Sequence, residues 1–326
     1  MRTLLLFIST LIYLHLFGQE QPARFIRLYE DNDGINALFK GQDWGYTNGT
    51  RIDYCWRPEK KLSGFLSHIP FFKDSQAIIT KSRGLMQLMY APKKTSLAVP
   101  EKSDYAYAGG LVAIHTIHVS NPVKEVNSRL EWIAGVMGPP SLARQSQMFI
   151  HRMIGDPEPK GWDYQLPTDL LLNLNAAIEK RFTGNHFTDL CGGAQVYAGT
   201  MQTGLSVSGT LRFRYNFSYY EGMAGECFGN KKKQVAILFS VKPVLDFSVY
   251  NALLDGGLLN KNSPVNDKNA AAGSSLTRNK FTSQLDCLLL VSWQRVSVSF
   301  SQKFISPEFK GYEKHKVGNL SLYIGF

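Results

Sequence analysis

Acidic and amide side chains stand together near the amino-terminal end of the chain, where they could take part in hydrolysis. The run Glu30, Asp31, Asn32 and Asp33 supplies the hard oxygen ligands that Ca²⁺ takes in proteins, although its spacing is not that of an EF-hand. An ordinary polar loop with turn-forming residues explains the same run equally well. The sequence therefore predicts either a calcium-assisted site or a solvated loop here.

A histidine lies further along the chain, in the one segment whose apolar period is helical. Residues 138–166 carry signals for both ends of a helix, namely Pro139, Pro140 and Ser141 at its start and Gly155 at its end. Gln147 and His151 are four residues apart, so their side chains point the same way. Apolar cover is expected from Leu142, Phe149, Ile150 and Met153. A single histidine on such a helix is more often structural than catalytic, so its neighbours must decide its role.

An imidazole beside carboxylates and amides can hydrolyse an ester without a covalent intermediate. His151 can take a proton from water as a general base, because histidine side chains titrate near neutral pH. A bound Ca²⁺ can polarise the ester carbonyl, and the Asn32 amide can donate to the developing oxyanion. The sequence has no Gly-x-Ser-x-Gly elbow and no cysteine in a nucleophile context. Direct attack by water is therefore the expected chemistry.

The first eighteen residues have the composition of a secretory signal peptide. Arg2 precedes an apolar run that ends before Gly18, and this run is shorter than the roughly 20 apolar residues that a spanning helix needs. Residues 19–326 are therefore expected outside the cytoplasm as one domain. Their lysine runs contribute to a net charge of +10 but contain no nucleic-acid-binding motif, so an anionic lipid surface is the expected partner and nucleic acid is not.

Apolar residues occupy every second position through most of the remaining chain. Between Leu205 and Phe217, for example, Leu, Val, Phe and Tyr alternate with Ser, Thr, Arg and Asn. A soluble β-sandwich also alternates, but the polar face here is typical of a lumen, and the aromatic Phe326 at the end of an alternating strand is typical of outer-membrane barrels. The predicted strands are Arg24–Asn32, Thr47–Arg57, Arg83–Ala91, Tyr107–Val119, Ser128–Met137, Asp169–Phe182, Phe187–Gly199, Gly204–Phe217, Gln234–Val249, Lys280–Trp293, Arg295–Phe304 and Gly318–Phe326. The expected fold is all-β, a transmembrane antiparallel β-barrel of about twelve strands with a short helix in an extracellular loop.

Strand parity places three polar loops on the extracellular side of this barrel. They comprise residues 33–46, 92–106 and 138–168, and the second contributes Lys93, Lys94 and Asp104. The segment 58–82 falls on the periplasmic side as an insertion for which no catalytic role is expected. Among the four cysteines, pairing of Cys191 with Cys227 is left open, whereas Cys55 falls in the lumenal set and Cys287 in the lipid-facing set and should not bond.

The motifs at this rim occur in an order that resembles a known family. They are Asn32-Asp33, Asp43-x-x-Tyr46-Thr47-Asn48-Gly49, Asp104-x-x-Tyr107-Ala108-Gly109, and Gly138-Pro139 through Gln147-x-x-x-His151 to Gly161-Trp162-Asp163-x-Gln165-Leu166. The sequence resembles the lipid A 3′-O-deacylases, which are outer-membrane enzymes. Two departures stand out, because Asp31 replaces the usual Glu and Tyr105-Ala106 replaces the usual Arg-Pro.

The resemblance implies a calcium-dependent ester hydrolase that removes the 3′-linked acyl(oxyacyl) chain of lipid A. It implies that His151 is the general base, that Asn32 and Asp33 are partners of the oxyanion and of calcium, and that Thr47 and Gln147 support the site. Asp31 is expected as a second metal ligand. Lys93, Lys94 and Asp104 are expected to bind substrate. The expected partners are lipopolysaccharide and outer-membrane lipids, and the protein is expected to be a monomer.

Two other functions remain open at this stage. A barrel that is only a pore or a scaffold is equally compatible with the alternating strands, and it predicts conductance without dependence on His151. A barrel phospholipase would need a serine and histidine pair, for which the third loop offers only Ser141 and Ser146, neither of them suitably placed by strand parity.

Overall fold

The computed structural model describes residues 22–36, 44–59, 74–229, 235–260 and 276–326. Twelve antiparallel strands form one closed barrel, in which each strand pairs with its neighbours in sequence and the first pairs with the last. The strands are β1 Arg24–Asn32, β2 Gly45–Trp56, β3 Ile78–Ala91, β4 Ala108–Asn121, β5 Val126–Met137, β6 Asp169–Gly184, β7 Thr188–Gly199, β8 Gln202–Tyr215, β9 Val235–Asn251, β10 Phe281–Trp293, β11 Val296–Ile305 and β12 His315–Gly325. The helices are α1 Ala143–Ile154, α2 Gly222–Phe228 and α3 Ala252–Asp255.

The predicted strand order and number are confirmed, and most boundaries agree within three residues. The largest difference is at β3, which begins at Ile78 rather than at Arg83. Its first part carries Thr80 and Ser82 on the lumenal face and Lys81 on the outer face, so it lacks the apolar and polar alternation that a strand prediction needs. The predicted signal peptide, most of the 58–82 insertion, the lysines at 60–61 and 231–233, and Asp43 lie outside the described residues.

The alternation is opposite in direction to that of a soluble β-protein. On β8 the apolar side chains of Leu205, Val207, Leu211 and Phe213 are exposed on the outer wall. The polar side chains of Ser206, Thr210 and Arg212 point into the barrel and are buried. Because exposed apolar residues need a hydrocarbon environment and buried charges need partners, this pattern is that of a barrel wall in a membrane.

Side chains and short helices fill much of the barrel interior. Helix α2 contacts β3 and β4 on one side and β10 and β11 on the other, so it crosses the lumen at the periplasmic end. Helix α3 crosses near the extracellular end, where Leu253 lies beside Gly110. A cavity of about 670 Å³, lined by both polar and apolar side chains, lies within the barrel. No helix in the described part of the chain is long and apolar enough to span a membrane.

Two buried carboxylates inside the barrel are paired with arginines. Asp189, which is fully buried, lies within ion-pair distance of Arg181 (3.0 Å), Arg212 (3.6 Å) and Arg214 (2.8 Å). Asp53 is bound in the same way by Arg27 at 2.7 Å and by Arg51 at 2.8 Å. A buried carboxylate stays charged only when such partners replace its water shell, so these clusters explain the arginines on the lumenal face.

The four cysteines are all free thiols. Cys191 lies 3.3 Å from the Tyr220 hydroxyl, whereas Cys227 packs in a separate cluster with Phe25 and Cys55, so the pairing of Cys191 with Cys227 does not occur. Cys287 belongs to the outward-facing set of β10 and Cys55 is buried on the lumenal face of β2, as expected.

Candidate active site

Helix α1 lies against the outside of the barrel at the extracellular ends of β3 and β4. On β3, Leu88 and Tyr90 line the lumen, so Met89 between them faces outward. Met89 is nevertheless only 2% exposed, because it packs in a cluster with Ala143 at the start of α1 and with Trp162 after it. The predicted helix of the third loop therefore covers one patch of the outer wall.

Two local features fix the position of this helix. The residues Pro139–Ser141 form a 3-10 turn, and Leu142 adopts a left-handed conformation before the α-helix begins at Ala143. The Ser141 hydroxyl donates to the Gly138 carbonyl at 2.6 Å, and the Gln87 amide of β3 donates to the Ser141 carbonyl at 2.7 Å. The α-helix thus begins at Ala143, four residues after Pro139. The hydrogen bond from β3 holds its start against the wall.

Gly109 on the outer face of β4 allows the close approach of α1. A Cβ atom at this position would collide with the Ser141 hydroxyl and with the Ala143 side chain. Because Gly109 lacks a side chain, the helix can sit directly on the strand.

Replacing Gly109 with alanine should therefore move α1 away from the wall. It should lower the ester hydrolysis expected from the sequence roughly tenfold to a hundredfold, because small displacements of catalytic groups cost this much. The measurement is the hydrolysis rate of the purified, folded barrel. Gly209→Ala is the matched control, since a Cβ there meets nothing within 4 Å. Equal rates in the two variants would show that the contact at Gly109 does not position the site.

The side of α1 that faces the wall carries Ala143, Gln147 and His151, and all three are buried. This confirms that Gln147 and His151 point the same way. Trp162 donates from Nε1 to Gln147 Oε1 at 2.7 Å, and His151 Nδ1 lies 2.8 Å from the Pro157 carbonyl oxygen. Because a carbonyl can only accept, Nδ1 carries the proton in the neutral ring and the basic lone pair is on Nε2.

The prediction that the apolar side chains of this helix provide buried cover is wrong. Leu142, Phe149, Ile150 and Met153 are all exposed, between 46% and 67%. The wall-facing stripe consists of a small residue and two polar ones, so the apolar side chains occupy a different side of the helix and do not cover a core.

The wall beside α1 is polar where β1 and β2 end. Glu30 and Asn32 face outward, because Arg27 and other odd-numbered residues of β1 face the lumen. The Glu30 carboxylate accepts hydrogen bonds from Asn48 and, at 2.6 Å, from Thr50. Asn32 Oδ1 accepts the Gly34 backbone N–H at 2.7 Å. A carboxylate and amides therefore form a polar patch on the membrane-facing side of the rim.

Asp33 and Thr47 connect this patch to α1. The Asp33 N–H donates to the Thr47 carbonyl at 3.2 Å, and both residues are buried. Thr47 sits at a β-bulge between Tyr46 and Asn48, and its hydroxyl lies 3.5 Å from the Met89 carbonyl, on the residue that α1 covers. The structure thus places Asp33 and Thr47 beside Met89 of β3, which packs against Ala143 of α1 and against Trp162.

Asp31 is placed on the other face of β1. Its carboxylate accepts from Lys303 Nζ at 2.8 Å, from the Tyr29 hydroxyl at 2.6 Å and from Asn319 Nδ2 at 3.1 Å, all inside the barrel. A carboxylate that already binds a lysine and faces away from Asn32 is poorly suited to a shared metal site. This geometry argues against Asp31 as a metal ligand.

The residues predicted to bind substrate lie at the mouth of the lumen. Asp104 is buried and accepts from the Lys93 and Tyr105 backbone N–H groups, both at 2.8 Å, and from the Tyr312 hydroxyl at 2.6 Å. Lys93 Nζ lies 4.5 Å from the centre of the Trp44 ring. These contacts hold the extracellular loops together, and they account for Asp104 and Lys93 without a substrate.

Lys94 and Glu308 lie at the same mouth and carry opposite formal charges. Lys94 is exposed and pairs with Glu101 at 2.6 Å, so its charge remains at the surface. Burial raises the pKa of the Glu308 carboxyl to about 7, and a hydrogen bond from the Tyr105 hydroxyl opposes this rise only in part. Packed side chains therefore close the mouth of the lumen. Their charges are paired or partly neutralised, so the mouth does not present a row of free cations.

The described residues contain no group of three or more His, Cys, Asp or Glu side chains that could hold a metal ion. Calcium does not need such a group, since it also binds amide, hydroxyl and backbone carbonyl oxygens. The buried carboxylate of Asp33, together with Asn32 and Thr47 beside it, is an oxygen-only donor set of this kind. The donor chemistry therefore fits Ca²⁺.

The sequence assigns one contribution to the site only in part and does not assign two others. Glu30 belongs to the acidic run, and because it is two residues from Asn32, a strand places both residues on the same face. Trp162 lies within the third motif, but nothing in the sequence indicates its bond to Gln147. The contact of Gly109 with α1 depends on how the loop folds back, which no local pattern reveals.

The fold and the position of the site define a class of protein, an outer-membrane type of β-barrel with a polar site on the outer wall near its extracellular end. The family model for "Outer membrane protein LpxR" matches residues 4–326, so the chain belongs to the LpxR family.

A solved structure shares the fold of this chain. LpxR from Salmonella typhimurium superposes with a TM-score of 0.73 at 16% identity, covering 93% of this chain and 100% of that chain. At this identity the likeness shows the fold alone. The KdgM porin reaches a TM-score of 0.40 at 6% identity over 93% of this chain and 99% of its own, which supports no argument. No curated protein sequence matches the chain.

Proposed function

We propose that this protein is an ester hydrolase that removes the 3′-linked acyl(oxyacyl) chain from lipid A in the outer leaflet of the outer membrane. The observation that carries the proposal is the position of His151, which faces the barrel wall from outside on a helix that packs on Met89, the β3 residue that Thr47 contacts from the other side. A lipid can reach such a site laterally, without entering the lumen. Membership of the LpxR family supports the same activity.

The proposed reaction uses His151 as the general base. The bond from Nδ1 to the Pro157 carbonyl orients the ring with its basic lone pair on Nε2, and this nitrogen takes the proton from water. The water oxygen attacks the ester carbonyl carbon and produces a tetrahedral oxyanion. When this intermediate collapses, the bond between the acyl carbon and the sugar oxygen breaks, and the proton on Nε2 passes to the sugar oxygen. The products are a free fatty acid and a sugar hydroxyl.

Neighbouring side chains have supporting roles in this proposal. The Gly34 N–H holds Asn32 by its oxygen, which directs the amide nitrogen outward as a donor for the oxyanion. Trp162 fixes Gln147 on the α1 side of the site, and the bulge of β2 fixes Thr47 on the wall side. Hydrogen-bonded neighbours of this kind keep catalytic groups within the small tolerance that hydrolysis needs.

Calcium is part of the proposal, with Asp33, Asn32 and Thr47 as the residues that would hold it. When bound, Ca²⁺ supplies positive charge that polarises the ester carbonyl. Chelation with EDTA should therefore lower the deacylation rate, and added Ca²⁺ should restore it. Asp33→Asn should raise the Ca²⁺ concentration needed for half-maximal activity, because it removes a negative ligand. Activity that is unchanged in EDTA would exclude calcium from the reaction.

The direct test is mass spectrometry of lipid A from an outer-membrane-bearing host that expresses this chain. The expected result is a mass loss equal to the 3′-acyl(oxyacyl) group. Unchanged lipid A, with the barrel shown by heat-modifiable migration to be folded in the outer membrane, would remove lipid A deacylation as the function.

The structure does not favour the other two functions. The packed helices at both ends of the lumen oppose a conducting pore, and planar-bilayer recordings would test this. Ser141 is fully buried with its hydroxyl bound to Gly138, which is not the environment of a serine nucleophile. Phospholipid release that a serine-directed reagent blocks would revive the phospholipase.

A further inference from the structure

We infer that helix α1 is seated in the membrane, with one flank embedded in the acyl chains of outer-leaflet lipids. The apolar flank of α1 consists of three large side chains, Phe149, Ile150 and Met153. Phe149 is 61%, Ile150 46% and Met153 67% exposed, although each is strongly apolar. Soluble surfaces rarely present so many large apolar side chains side by side, so this flank needs an apolar partner.

The helix is amphipathic in a way that suits a membrane surface. With 100° per residue, the wall-facing stripe of Ala143, Gln147 and His151 separates the apolar flank from a polar one. The polar flank carries Arg144, Gln145 and Arg152, of which the arginines pair with Asp163 and Glu158. A helix that lies against the barrel with one flank in hydrocarbon and the other in the headgroup layer requires this distribution.

The apolar flank is continuous with the lipid-facing wall of the barrel. Leu111, Val136 and Leu170 are paired neighbours in one outward-facing row at the extracellular ends of β4, β5 and β6. Leu170 is 53% exposed, and Gly109, the next outward position on β4, is where α1 rests. The hydrocarbon layer that covers this row therefore reaches the level of the helix. Lipid acyl chains are for this reason the expected occupant, rather than a second copy of the chain or a soluble protein.

The position of α1 in the membrane matters for the proposed function. The inference rests on that function in one respect only, namely that the site beneath α1 acts on a membrane lipid. If one flank of α1 is held in the acyl layer, then His151 on the adjoining side is held where acyl chains meet the headgroups. In a bilayer, this anchoring would place His151 at the depth of the ester. Hydrolysis of the same ester in a detergent micelle would not depend on the anchoring.

Spin labelling tests the placement without relying on activity. A nitroxide would be attached at Met153→Cys in a Cys287→Ser background, because the other three cysteines are buried. The matched control is Gln145→Cys on the polar flank. In bilayers, the label at position 153 should be accessible to oxygen and protected from a water-soluble nickel reagent, and the label at position 145 should show the reverse. Strong nickel access at position 153 would overturn the inference, and dipolar broadening there would assign the flank to a second copy.

A second measurement links the flank to turnover. The double variant Phe149→Ser and Met153→Ser should lose tenfold or more of its deacylation rate on lipid A in bilayers and much less in detergent, while it retains heat-modifiable migration. Equal losses in both environments would contradict the anchoring role. If the parent barrel deacylates nothing, the proposed function fails, whereas the nickel accessibility at position 153 still decides the placement.

Discussion

Replacing His151 with alanine should abolish most deacylation while the barrel stays folded. A general base contributes roughly a hundredfold to ten-thousandfold to such reactions, so a loss of that size is expected. The Nδ1 bond to Pro157 is a surface-loop contact, and its loss should not disturb barrel closure. The measurement is lipid A mass spectrometry of the host, with rates on the purified protein and Ca²⁺ supplied.

The matched control for this variant is His186→Ala. His186 is exposed in the hairpin between β6 and β7, at the end of the barrel opposite to α1, so the same chemical change should leave the rate unaltered. Retained activity in the His151 variant would remove this residue from the mechanism. Equal loss in both variants would point to misfolding, which heat-modifiable migration would reveal.

Replacing Lys303 with methionine should destabilise the barrel strongly. It leaves the Asp31 carboxylate buried inside the wall without its cation, and breaking a buried ion pair in this way costs about 3–5 kcal/mol. Hydrogen bonds from Tyr29 and Asn319 remain, which places the expected loss near the lower end, about 3 kcal/mol. Urea unfolding of the refolded barrel measures the change in the free energy of unfolding.

A second substitution and a surface pair serve as controls. Adding Asp31→Asn to the Lys303 variant removes the unpaired charge and should recover part of the lost stability. Lys124→Met breaks the exposed pair with Asp74 and should cost far less than Lys303→Met, because solvent screens an exposed pair. If Lys303→Met were no more costly than Lys124→Met, the Asp31 network would not stabilise the end of β1.

The barrel could be predicted from the sequence because its wall separates two media. Hydrocarbon outside and polar groups inside impose a two-residue period on each strand, and this period is visible without an alignment. The prediction was weakest at the start of β3, where Lys81 and Arg83 face outward and Thr80 and Ser82 inward. Both faces are polar there, so the hydrogen bonds to β2 and β4, not the side chains, identify the strand.

The candidate site could be predicted only in part. Grouping Asp31 with Asp33 as metal ligands treated neighbours in sequence as neighbours in space. Once β1 is a strand, Asp31 points into the lumen and Asn32 points out, whereas Asp33 lies just past the strand end. Applying the strand period to the motif itself would have selected Glu30 with Asn32.

The sequence by itself determined the twelve strands, the helix between Gly138 and Gly155, and the shared orientation of Gln147 and His151, because each follows from a period within a short segment. Only the tertiary structure decided that α1 rests on the outer wall with its apolar flank exposed. It also decided that Thr47 and Met89 join the β1 motif to this helix. These contacts link residues far apart in the chain, and they exist only once closure of the barrel has set the register of each strand against the next.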